Sequence, residues 1–134
     1  MHAHTYPYPF THIGALLCLG VAYFTGQGLV QDHNRAIELI QQSADEGLGD
    51  ACYTLANLYE KGLGVSRDYE RAVGWYAKAA EGGMDDAMYS LGVCYTKGLG
   101  VPRDWASARE WFVKAAMRGN EGASRALESG DVLE

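Results

Sequence analysis

A chain of 134 residues with 48% hydrophobic and 21% charged side chains can fold as one domain without a metal or disulfide, a globular balance that excludes a disordered chain. Its formal net charge of -6 argues against nucleic acid or an anionic membrane as the main partner, because each is held by a basic footprint. Cys18, Cys52 and Cys94 form neither a disulfide framework nor a zinc-type pair, and read as buried free thiols of a cytoplasmic chain.

In chain order, residues 1–11 come first. Pro7 and Pro9 predict an extended arm carrying Tyr6, Tyr8 and Phe10, with Thr11 capping the first helix. The arm is expected to cover the open edge of the domain that follows, residues 12–134. The alternatives are a disordered tail or an arm that reaches a second chain. Ile13 to Phe24 is an apolar run too short to span a bilayer, and no Lys or Arg precedes it as in a signal peptide.

That run belongs to a repeat. Shifting the chain by 36 superposes Ala15, Ala51, Ala87 and Ala123, then Leu19, Leu55, Leu91 and Leu127, then Tyr23, Tyr59 and Tyr95. Gly26, Gly62 and Gly98 follow, then Asp32, Asp68 and Asp104. Residues 51–86 and 87–122 agree at 17 of 36 positions and 15–50 agrees with 51–86 at 11, far above chance, so three tandem units are predicted.

Each unit reads as two helices. Ala51, Leu55, Leu58 and Tyr59 lie on one helical face, and Gly62 stops that helix. Asp68 caps the second, whose apolar face holds Ala72, Trp75, Tyr76, Ala79 and Ala80. Gly20, Ala56 and Gly92 share a register that lets paired helices approach closely, with Trp75 and Trp111 filling the core. Leu39 replaces the tryptophan in the first unit, which predicts looser packing there. Lys78 and Lys114 suit the negative ends of second helices. Asp85 and Asp86 are expected to cap the third unit's first helix. Ala123 and Leu127 start a short capping helix over 123–129, with a tail at 130–134. The fold class is therefore all-α, an α/α solenoid of units 15–50, 51–86 and 87–122.

The pattern Ala-x-x-x-Leu-Gly/Ala-x-x-Tyr-x-x-Gly-x-Gly-Val-x-x-Asp-x-x-x-Ala-x-x-Trp-Tyr/Phe-x-Lys-Ala-Ala-x-x-Gly, seen in 51–83 and 87–119, resembles the Sel1-like repeat, a relative of the tetratricopeptide repeat. The resemblance implies a module that binds protein through a concave groove lined by first helices. Cysteine-rich members are described as penicillin-binding or β-lactamase-like, with a bridge from the position of Cys52 to one that is Ala80 here.

Helical stepping from Leu55 and Tyr59 places the groove row at Tyr53, Asn57 and Glu60. The same register gives Leu17, Val21 and Phe24 in the first unit, Tyr89, Val93 and Thr96 in the third, and Arg125 in the last helix. Either these residues are free to contact a partner or superhelical curvature buries them against neighbouring first helices. No nucleophile–base set emerges, and His2, His4 and His12 make no fixed metal site, so no catalytic residue, metal or cofactor is expected. The expected partner is another protein, neither nucleic acid nor membrane, with weak self-association through the arm or the open ends. The leading function is an adaptor that holds a peptide or protein loop. The alternatives are an immunity protein that blocks a toxin and, third, a β-lactamase-like hydrolase.

Overall fold

The computed structural model describes residues 9–26 and 32–130, with side chains from Leu17 onward in the first helix. Seven helices follow in order: α1 (Pro9–Thr25), α2 (His33–Asp45), α3 (Gly49–Lys61), α4 (Tyr69–Glu81), α5 (Asp85–Lys97), α6 (Trp105–Met117) and α7 (Glu121–Ser129). No strand occurs among the described residues. Each helix packs on the next in the chain, so three hairpins stack and α7 closes the pile. This is the all-α solenoid that the 36-residue period predicts.

The same local devices set the helix ends in each unit. Asp32, Asp68 and Asp104 are extended N-caps whose carboxylates accept backbone N–H groups of the first helical turn. The backbone N–H of each also donates to the Tyr23, Tyr59 or Tyr95 carbonyl, at 2.9, 2.9 and 3.0 Å, tying the cap to the preceding helix. Gly62 and Gly98 end α3 and α5 at φ 68° and 73°, a left-handed turn where a side chain would be strained.

The core runs along the hairpin contacts. Leu55 and Leu91 are 0% and 2% exposed, each burial contributing about 2 kcal/mol. Their counterpart Leu19 is 39% exposed, because no hairpin precedes α1 among the described residues. Residues 1–8, and with them most of the predicted aromatic arm, lie outside the described residues. The small-residue register does what its spacing predicts. A Cβ on Gly92 would stand 2.7 Å from Phe112, and one on Gly20 would stand 2.8 Å from Ile40.

Several local expectations are corrected. α1 begins at Pro9, where proline's missing N–H is an orphan of the first turn anyway, so Thr11 lies inside the helix. Cys18 is exposed, because it sits on the uncovered side of the first hairpin, whereas Cys52 and Cys94 are buried. Trp75 and Trp111 are only half-buried, and the neighbouring Tyr76 and Phe112 fill the core instead, at 1% and 2% exposure. Lys78 and Lys114 lie over the tryptophan rings at 4.5 and 4.6 Å, one turn along, so these rings carry the lysine stems at the surface. Leu39 is itself buried and packs at the Gly20 contact. The third unit's first helix is capped by Met84 with no side-chain bond, and Asp85 and Asp86 fall in its first turn. There they accept from the Asn120 amide at 2.9 and 3.2 Å. Asn120 in turn caps α7 by accepting from the Ala123 N–H, so one buried side chain fastens the final helix to α5.

Candidate functional site

Spacings of three and four residues put each trio of the predicted row on one face of its helix. The structure places Leu17, Phe24, Tyr53, Asn57, Glu60, Tyr89, Val93 and Thr96 half-buried, and Val21 and Arg125 exposed. Neighbouring elements cover part of each half-buried side chain and leave the rest open.

The tyrosines explain how. Tyr53 leans on Tyr76 with ring centroids 5.7 Å apart, and Tyr89 leans on Phe112 at 5.6 Å, both tilted. Tilted rings at this distance attract through their quadrupoles. Each tyrosine thus roofs the aromatic that fills its own hairpin. Tyr89 also reaches α7, where a Cβ on Gly122 would come within 3.1 Å of its ring.

Other members of the row are engaged elsewhere. Phe24 stacks on His33 at 4.4 Å and lies against Gly64 in the next unit's turn, so it faces the second helices. The Thr96 hydroxyl donates to the Gly92 carbonyl at 2.8 Å. Arg125 faces Glu121 at 3.7 Å with both side chains well exposed, a pair that adds little stability.

The middle unit holds a polar node. The Tyr76 hydroxyl, carried by a buried ring, donates to Asn57 Oδ1 at 2.5 Å and lies 3.3 Å from Glu60 Oε1. Burial, with the Glu60 charge beside it, pushes the Tyr76 phenol up from its ordinary range, so it stays a neutral donor. Sequence reasoning assigned Tyr76 to the core and missed its hydroxyl. The signal was available: Tyr76, Asn57 and Glu60 become Phe112, Val93 and Thr96 together in the next unit. Asn120 was missed for a different reason, since its acceptors lie on another helix.

The buried thiols are poor nucleophiles. Burial raises Cys52, and its Sγ–H points to the Ala44 carbonyl at 3.6 Å. Burial and then the Glu60 charge raise Cys94 to about 11. Among the described residues, no three His, Cys, Asp or Glu side chains gather as a metal site, and no helix is long and apolar enough to cross a membrane.

Comparison with known proteins follows the same three units. The Sel1 repeat family matches residues 15–48, 49–84 and 85–120. A Sel1 repeat protein from Oxalobacter formigenes is 38% identical with a TM-score of 0.83, over 87% of this chain and 88% of that one. The protein c5321, a protective antigen present in uropathogenic Escherichia coli strains and displaying an SLR fold, is 36% identical with a TM-score of 0.86 over 90% of this chain. This chain spans only 26% of that antigen. Helicobacter pylori cysteine rich protein B shares the fold with a TM-score of 0.70 at 23% identity, covering 86% and 89% of the two chains. No curated protein matches the sequence.

Proposed function

The chain belongs to the Sel1 repeat family, whose members generally serve as protein–protein interaction modules, and from that premise we propose that it is an adaptor that holds a peptide or protein loop along its first helices. The observation that carries this reading is the row of half-open side chains repeated at a 36-residue interval on α3 and α5. Tyr53 and Tyr89 offer rigid rings with polar tips, Asn57 and Glu60 offer hydrogen bonds, and Val93 offers an apolar step. Such mixed surfaces, partly desolvated before a partner arrives, suit recognition of an extended chain. Sel1 repeat proteins are typically non-enzymatic scaffolds, and burial raises the pKa of Cys52 and Cys94, so neither of these two thiols is activated.

The test is an affinity capture from the native host with the intact chain and with the Tyr53→Ala/Tyr89→Ala variant. The adaptor reading expects specific partners to be lost with the variant while its helical circular dichroism stays native. Partners retained in full by a folded variant would refute the row as the binding surface.

A further inference from the structure

The polar node in the middle of the row is unfinished. The Tyr76 hydroxyl has one proton, and Asn57 Oδ1, at 2.5 Å, is much closer to it than Glu60 Oε1 at 3.3 Å. Among the described residues no Lys, Arg or His lies within ion-pair distance of Glu60, and neither proton of the Asn57 amide nitrogen has an acceptor. A half-buried carboxylate is thus left with one shared hydroxyl for company. Its field is felt nearby: the Cys94 thiol responds to Glu60 more than to Lys97, the cation at the end of the same helix.

The fold does not require this arrangement. In the third unit Phe112 fills the same core position without a hydroxyl, and Val93 and Thr96 stand where the middle unit has Asn57 and Glu60. The first unit places Ile40, Val21 and Phe24 at those registers. The node therefore occurs once, between an apolar stretch on α1 and another on α5. Partly desolvated carboxylates attract a cation more strongly than exposed ones do, and an unpaired one penalises any occupant that does not bring a positive charge.

We infer that the occupant of the groove is a protein segment presenting a lysine or arginine side chain to the Asn57–Glu60 pair, with apolar side chains on both sides of it. This inference rests on the groove reading above, and names the chemistry of the partner rather than the existence of the surface. The cation would take the Glu60 carboxylate through Oε2, and the Asn57 amide would donate to a backbone carbonyl of the segment.

A random 12-residue peptide library displayed on phage and selected on the immobilised full chain tests it. The expected result is enrichment of Arg or Lys between apolar positions. An enriched peptide, synthesised and followed by fluorescence anisotropy, should bind about tenfold less tightly to Glu60→Gln, or when its basic residue becomes Gln. Glu60→Lys should select acidic residues at that place. Tyr76→Phe copies the third unit, leaves Glu60 in position, and should keep both the fold and the basic preference. Peptides that depend on Tyr53 and Tyr89 but ignore Glu60→Gln would overturn the cation while leaving the groove standing. Peptides indifferent to all these changes, or a selection that yields none dependent on the groove, would count against both.

Discussion

The most discriminating test of the packing is one substitution made at two helical glycines. A Cβ on Gly74, in α4, would meet nothing within 4 Å, and the residue is exposed. Alanine there removes the entropic cost of glycine in a helix interior, a gain of about 1 kcal/mol. A Cβ on Gly92, in α5, would stand 2.7 to 2.9 Å from three atoms of the Phe112 ring. That ring is 2% exposed and itself roofed by Tyr89 at 5.6 Å, so it has no open side to move into. Overpacking of this kind costs about 1–3 kcal/mol, against the same gain of about 1 kcal/mol. Gly74→Ala should therefore raise the melting temperature by about 4 °C, and Gly92→Ala should lower it or leave it unchanged. Thermal unfolding by circular dichroism, with urea titration as a second measure, reads both. Adding Phe112→Leu to Gly92→Ala should cost less than Phe112→Leu alone, because the ring that clashes is gone. Equal stabilisation by alanine at both positions would refute the close approach of α5 and α6.

Three further outcomes follow from the geometry. The Ser107 hydroxyl, and then its backbone N–H, hold the Asp104 carboxyl below its ordinary range, so its stabilisation is complete above the unfolded carboxyl value and fades as pH falls through the lower folded one; melting curves of the parent and Asp104→Asn should converge only at acid pH, and parallel curves would argue against it. With iodoacetamide under native conditions Cys18 alone should be alkylated, since Cys52 and Cys94 are buried with raised pKa values, and all three should react in denaturant; mass spectrometry of the intact chain shows which. Asn120→Ala removes a cap and two interhelix bonds, costing about 1–2 kcal/mol, and amide exchange should accelerate across α7 while α3 and α4 stay protected; uniform acceleration would mean that Asn120 does not act locally.

The 36-residue period, the helix pairs, the aspartate caps and the small-residue register were all legible in the chain, because each depends on residues close in sequence and repeats three times. A glycine at a helix end or an aspartate before an apolar helix states its role locally. What tertiary structure alone decided was which side of each helix meets a neighbour, and how completely. Trp75 and Tyr76 are adjacent, yet one lies under a lysine at the surface and the other fills the core. Leu19 and Leu55 share a register, yet only Leu55 has a hairpin on each side. Asp85 and Asp86 looked like caps, and became acceptors for Asn120 once α7 lay beside α5. The binding row was legible as a register and not as a surface, since the Tyr76 hydroxyl that divides it comes from the neighbouring helix. Periodicity encodes the direction in which a side chain leaves its own helix. Burial and partnership depend on the helix it meets, which only the packed stack supplies.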